Sequence, residues 1–427
     1  MTVWCIWSIL DAGKSKAVIA MSTENKGRSP FYPGQPVPAE LFVGRQAQID
    51  RIMTRGAEQV AAGKPVAIFV EGEYGIGKSS IAAYVQRKAE EERGLHAIYA
   101  SLANAQSLDD VGGGVLRATV ESGAFEPRRS ERIREWLSKY IGEQTFFGVT
   151  VHAEALKRDG PDIAAGMLPF LRDVHGRLKD TGVTGVFLVL DEINGIAADP
   201  RFAHFIKGLV DTNAMSREPV PLLLALCGVE ERRRVMIQNH RPVERIFDIV
   251  EIERLTAAEM ASFFTKAFGS VGITVEDRAM PALTTYSAGL PKIMHLVGDA
   301  AFWRDDDGVI SAGDALAAVI GAAEEVGQRY VDQQVYRALR SEAYHSILRK
   351  IGASGLDMTF RKADVAENLT QGERTKFDNF LQRMKKLDVL KPGETRGEYT
   401  FNSRMVQVYI WLNSQRAERK GDAGLVE

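Results

Sequence analysis

The stretch Gly72-Glu73-Tyr74-Gly75-Ile76-Gly77-Lys78-Ser79 fits G-x-x-x-x-G-K-[ST], the phosphate-binding pattern known as Walker A. The chemistry it predicts is anion capture. Its glycines let the backbone curl so that successive N–H groups face a β-phosphate. Lys78 is predicted to bridge the β- and γ-phosphates, and the Ser79 hydroxyl to ligate Mg²⁺. Ser80 follows as the next residue of the same turn. A second constellation lies downstream, where the apolar run Val186-Phe187-Leu188-Val189-Leu190 ends in Asp191-Glu192. An acid pair at the end of an apolar strand fits Walker B. Asp191 is predicted to hold the Mg²⁺ shell, and Glu192 to orient and polarise an attacking water. Taken alone, that run is equally a strand end followed by a solvated acidic turn. The upstream loop decides for the site.

Both motifs need particular elements around them. Val66-Ala67-Ile68-Phe69-Val70 reads as a buried strand before the loop, and Ser80 to Arg87 as a helix after it. That helix offers its positive N-terminal end to the phosphate. Further strands are predicted at His96–Ala100 and Pro221–Gly228, with a weaker one at Ile246–Ile252. Buried parallel strands read as continuous apolar runs, and ligands gather at their carboxyl ends. Strands alternating with helices argue for an α/β fold, a parallel sheet covered on both faces. Residues 103–180 read as a mostly helical insertion broken at Gly112-Gly113-Gly114 and Asp159-Gly160-Pro161. Within it, Arg128, Arg129, Arg132 and Arg134 alternate with Glu131 and Glu135. They read either as a nucleic-acid contact or as a solvated, ion-paired helix face, the commoner use of such a run.

Composition sets the frame. A chain of 427 residues holds two or three domains, and 45% apolar with 26% charged residues is ordinary for a globular protein. The net charge of −2 gives no global sign of nucleic-acid or membrane binding. Cys5 and Cys227 lie far apart and suggest neither a metal site nor a disulfide, which fits a reducing, cytoplasmic setting. The apolar run Val3–Leu10 is too short to span a bilayer and lacks the basic start of a signal peptide. Residues 1–20 are therefore read as an upstream extension or tail before Met21. Residues 1–35 as a whole are expected to be disordered or extended, with the Ser/Gly/Pro-rich part leading into the domain.

From Thr256 the pattern turns helical. Thr256-Ala257-Ala258-Glu259 reads as a capping box, with Met260, Phe263 and Phe264 on the apolar side of its helix. In Ser287-Ala288-Gly289-Leu290-Pro291-Lys292 one helix ends and another begins with Pro in its first turn. Beyond Tyr336 the charge changes. Arg337 to Lys420 holds 17 Lys/Arg against 10 Asp/Glu, a net of about +7 in a chain of −2. Three short helices, ending with one over Glu373–Leu387, precede a hairpin around Pro392–Gly397. That order reads as a winged helix-turn-helix. A last amphipathic helix covers Met405–Gln415.

On these residues the chain resembles the AAA+ P-loop ATPases. The resemblance rests on Phe42-Val43-Gly44-Arg45, the Walker A loop, the Walker B pair Asp191-Glu192, an all-helical lid carrying Gly289-Leu290-Pro291-Lys292, and the C-terminal winged helix. It is most similar to the origin-recognition type, with the STAND signalling NTPases nearby. The resemblance implies a five-stranded sheet in the order 5-1-4-3-2 within residues 36–255, a helical lid at 256–330, a winged-helix domain at 336–415 and a flexible tail at 416–427. It implies an adenine pocket formed by Val43-Gly44-Arg45 and by the lid near Pro291. ATP is favoured over GTP, because no Asn-Lys-x-Asp guanine reader lies in a usable place and Asn25-Lys26 lacks the acid. Lys292 stands where the second sensor is expected, or is simply an exposed helix residue. Arg245, with Arg241 as alternative, is the candidate arginine finger for a neighbouring subunit, or is a surface arginine beside Glu244. Cys227-Gly228 stands where a polar first sensor would be, so none is assigned. The expected activity is ATP hydrolysis, slow without a partner. The expected output is a winged helix that binds duplex DNA through Arg374, Lys376, Asn379, Arg383, Lys386 and Arg396. The alternative is a STAND-like switch that signals through protein contacts without DNA.

Overall fold

The computed structural model describes residues 27–34, 42–122, 163–339, 341–393 and 395–423. The basic cluster at Arg128–Arg134, the break at Asp159–Pro161 and residues 1–20 lie outside them. The chain divides into two compact units, one of Pro36–Leu255 and one joining the N-terminal residues to Thr256–Glu427.

The first unit is built on strands β1 (Val66–Glu71), β2 (Leu95–Ser101), β3 (Gly185–Asp191), β4 (Leu222–Gly228) and β5 (Asp248–Glu251). All neighbours are parallel, and the spatial order β2-β3-β4-β1-β5 is the expected 5-1-4-3-2. Every residue of β3 and β4 is buried, which is why their sequences are unbroken apolar runs. The helices are α1 (Gln46–Ile52), α2 (Lys78–Arg93), α3 (Leu108–Glu121), α4 (Ile163–Leu178), α5 (Pro200–Ala214) and α6 (Glu230–Asn239). A π turn over Met53–Ala57 and a final turn over Glu58–Ala61 prolong α1. One face of the sheet packs Phe69, Leu188, Leu190 and Leu226 against Val111 and Val115 of α3, Leu171 of α4 and Phe202 of α5.

The second unit starts with helices α7 (Ala257–Gly269), α8 (Met280–Ser287), α9 (Pro291–Arg304) and α10 (Ala312–Val326). A two-stranded parallel pair, β6 (Thr274–Val275) and β7 (Val309–Ile310), lies among them. The capping box expected at Thr256 and Glu259 opens α7. The lead-in is not free. Phe31 is only 4% exposed, with its ring edge-on to Phe263 and Phe268 at 5.9 and 4.8 Å. Tyr32 donates its N–H to His295 Nδ1 at 3.1 Å, and Ser29 Oγ donates to Asp299. Apolar burial of one ring outweighs the entropy that keeps a Pro/Gly-rich segment loose.

A π stretch over Gly327–Tyr336 leads from α10 into the C-terminal elements. These are α11 (Glu342–Ala353), β8 (Thr359–Arg361), α12 (Lys362–Glu367), α13 (Gln371–Lys386), β9 (Leu390–Pro392), β10 (Glu398–Phe401) and α14 (Arg404–Ala423). Their strands pair antiparallel in the order β8-β10-β9. Val331 and Val335 of the π stretch share a core with Ile347, Phe377, Phe380, Leu381 and Ile410. Tyr409 of α14 donates to Asp332 at 2.9 Å, and a Cβ placed on Gly327 would sit 2.2 Å from its ring. The segment between α10 and α11 is therefore packed core. Among the described residues no helix is long and apolar enough to cross a membrane.

Candidate nucleotide site

The Walker A loop joins β1 to α2 with the backbone its glycines allow. Gly75 and Gly77 have φ of 77° and 95°, and Gly77 is the N-cap of α2. A Cβ on Gly72 would lie 2.7 Å from the carbonyl oxygen of Ile252, so only glycine fits against the end of β5. The loop leaves the first N–H groups of α2 without helical partners, facing where an anion would sit. Lys78 Nζ meanwhile donates to the carbonyls of Gly72 and Glu73 at 2.9 and 2.8 Å. Burial pulls its ammonium pKa down, and the nearby charges of Asp191 and Glu192 oppose this. Arg45, buried and in the left-handed region at φ 62°, donates from its guanidinium to the Ile76 carbonyl. It clamps the loop from below. Phe42, one residue before Val43, stacks on Tyr84 of α2 at 4.8 Å. The tip is different, because Tyr74 is 74% exposed.

The acid pair stands at the end of β3, which β4 separates from β1. Asp191 is buried and accepts from two donors, the Glu192 N–H at 2.8 Å and the Tyr99 hydroxyl. Glu192 takes φ 57°, rare for a residue with a side chain, and its carboxylate is exposed beyond the sheet. Ser101 donates to Glu192 Oε2 at 3.2 Å. Tyr99 and Ser101 sit two residues apart on β2, where Tyr99 pairs with Val189 and Ser101 with Asp191. Their side chains therefore leave the same face of the sheet. The Ser79 hydroxyl lies near the phenol. The phenol thus orients the carboxylate of β3 from β2. Burial first, and then the charge of Asp191, push its pKa well up, so it stays a donor.

Lys78, Ser79, Asp191 and Glu192 are thereby brought to one end of the sheet. The oxygen donors Ser79 and Asp191 are the hard ligands Mg²⁺ takes alongside several waters. Among the described residues no group of three or more His, Cys, Asp or Glu could hold a metal ion.

Two ion pairs brace the loop. Glu71, the last residue of β1, receives Arg233 of α6 through Nε at 2.6 Å and through a second guanidinium nitrogen at 3.2 Å. Glu73 receives Arg254 at 2.7 Å. Neither arginine has a sequence pattern that marks it. At the end of β4, Cys227 is buried with its thiol pKa raised by that burial and by Asp191. The polar group at this end comes from another strand's turn. Asn194 Oδ1 accepts the Val229 N–H at 3.2 Å and lies 3.5 Å from where a Gly228 Cβ would be. Sequence reasoning looked only along β4 and missed it.

The other expected residues occupy simpler places. Arg241 and Arg245 lie on a 3-10 turn before β5, both exposed. Pro291 and Lys292 open α9 in the second unit, Lys292 exposed. In the C-terminal elements Lys376, Asn379, Arg383, Lys386 and Arg396 are exposed. Arg374 differs in that its guanidinium donates to the carbonyls of Ala366 and Glu367 at 2.9 and 3.2 Å. It caps the end of α12, where orphan carbonyls need donors.

Residues 41–225 match the family described as AAA ATPase domain. No curated protein sequence matches the chain. Among solved structures it is similar to the ORC2 protein of Aeropyrum pernix in its ADPNP-ADP complexes, with TM-score 0.57 and 14% identity over 92% of this chain and 99% of that one. It is also similar to a Walker-type ATPase of Pyrococcus abyssi, with TM-score 0.53 and 16% identity over 86% and 96%. The likeness is one of fold.

Proposed function

We propose that the AAA+ P-loop ATPase domain at residues 41–225 hydrolyses ATP with Mg²⁺, and that its nucleotide state controls a C-terminal winged helix that binds duplex DNA. One observation carries the first half. Lys78, Ser79, Asp191 and Glu192, from two separate stretches of chain, converge at one sheet end under the N-terminus of α2. In this reading the phosphate tail takes the place of the Gly72 and Glu73 carbonyls at Lys78. The loop N–H groups hold the β-phosphate. Mg²⁺, when bound through Ser79 and the shell of Asp191, neutralises the charge on the phosphates. Glu192, exposed and held by Ser101, orients the water. Val43, Gly44 and Arg45 line the adenine pocket, and Lys292 is the candidate sensor cation. A lysine there gives charge without the planar fork of an arginine. Arg245 reaches a neighbouring copy's phosphate, which makes turnover depend on self-association.

The test is phosphate release by the full chain. Glu192→Gln should keep ATP bound while turnover falls at least 100-fold, the scale of a lost general base. Unchanged turnover removes Glu192 from the role. For the output, the exposed cations of α13 and Arg396 at the hairpin support phosphate contacts, whose affinity must fall steeply with salt. A duplex titration at two salt concentrations, with and without ATP, tests it. A second reading, a nucleotide-gated protein-docking switch, is favoured by Arg374 being spent on α12 and by Asp378 pairing with Lys362 at 2.5 Å on that same face. Absence of salt-sensitive binding in both nucleotide states selects that reading.

A further inference from the structure

We infer that Tyr99 is a positioning residue for the Mg²⁺ half of the site, holding the Asp191 carboxylate in place before the ion arrives. The inference rests on the reading of this site as an Mg²⁺–nucleotide site. Its basis is a geometry that neither motif contains. Tyr99 stands on β2, separated from the loop's own strand by β3 and β4, and its hydroxyl donates to Asp191 Oδ2. The other carboxylate oxygen, Oδ1, takes the Glu192 N–H at 2.8 Å. Each oxygen of Asp191 thus has one fixed donor, which sets the rotation of the carboxylate and leaves a lone pair on each oxygen for the ion's waters. The strand register explains why a tyrosine is needed. Tyr99 pairs with Val189, two residues before the acid, so a short hydroxyl there would fall short of Asp191. Ser101, which pairs with Asp191, is level with that acid and reaches Glu192, one residue further on. One strand therefore orients both acids, the long side chain serving the metal acid and the short one the water-orienting acid. Groups that hold metal ligands in place typically change metal affinity 10- to 100-fold when removed.

The experiment uses Tyr99→Phe in the full chain, which keeps the ring and removes only the hydroxyl. Binding of a fluorescent ATP analogue is measured in EDTA and across an Mg²⁺ titration, with thermal unfolding as a check on folding. Affinity in EDTA should stay within about twofold of wild type, while the Mg²⁺ concentration for half-maximal enhancement rises about tenfold. An unchanged Mg²⁺ requirement overturns the inference. So does a lower one, which would mean that the phenol competes with the ion. Equal loss in EDTA and in Mg²⁺ also overturns it, because Tyr99 would then be serving the fold. If the wild-type chain itself shows no Mg²⁺-dependent nucleotide binding, the underlying reading of the site fails, and that result is separate from any behaviour of the variant.

Discussion

Replacing Arg233 by Met should weaken the nucleotide loop from beneath. The Glu71 side chain is 8% exposed, and that of Arg233 is 19% exposed. Two hydrogen bonds of 2.6 and 3.2 Å join them in a fork. Removing one partner of a fully buried pair costs about 3–5 kcal/mol, mostly because the other charge is left unmatched. Water reaching the arginine end lowers this, so Arg233→Met should cost about 2–3 kcal/mol. Glu71→Gln keeps the shape and an acceptor, and should cost about 1–2 kcal/mol. With Met facing Gln no unpaired charge remains. The double variant should then be destabilised by about 2 kcal/mol instead of the sum of about 4, a coupling of about 2 kcal/mol. Urea unfolding of the four proteins measures this. Because Glu71 directly precedes Gly72, repeating the series with ATP analogue should show weaker nucleotide stabilisation in both single variants. Costs that add within about 0.5 kcal/mol would refute the coupling, and with it the claim that this pair supports the loop.

Phe31→Ala removes a ring buried among Phe263, Phe268 and His295, and should destabilise the second unit by about 3–5 kcal/mol in thermal unfolding. A loss below about 1 kcal/mol would mean that the lead-in does not hold there in solution. His295, 2% exposed, has its pKa lowered by burial to about 4. A folded-state pKa below the ordinary value near 6.5 means the unfolded chain binds the proton first. The associated stability is complete above about pH 6.5 and is lost as pH falls toward about 4, up to about 3 kcal/mol. The pH dependence of unfolding should show that slope in wild type and lose it in His295→Asn.

The parts of this protein legible in its sequence are those written by local rules. The Walker A loop is legible because its glycines, Lys78 and Ser79 must be contiguous to wrap one anion. β3 and β4 are legible because burial on both faces demands unbroken apolar runs. The capping box at Thr256 is a four-residue rule, and it holds. The sheet order followed from the family resemblance, and the structure has it. What no local rule carries are pairings across the sheet. Tyr99 lies 92 residues from Asp191, and Arg233 lies 162 from Glu71. Neither pair exists until parallel strands bring remote residues level. Asn194 supplies the polar group at the end of β4 from the turn after β3, for the same reason. Arg374 looked like one more cation of an exposed helix face, and only the packing of α13 beside α12 turns it into a cap. Phe31 sat in a Pro/Gly-rich segment whose composition argues for looseness, and an aromatic cavity formed by helices far along the chain decided otherwise. The sequence by itself determined the chemistry of the phosphate site, because an anion is bound by neighbours in the chain. The tertiary structure decided what holds that chemistry in place, because the groups that orient a metal acid or brace a loop become neighbours only through folding.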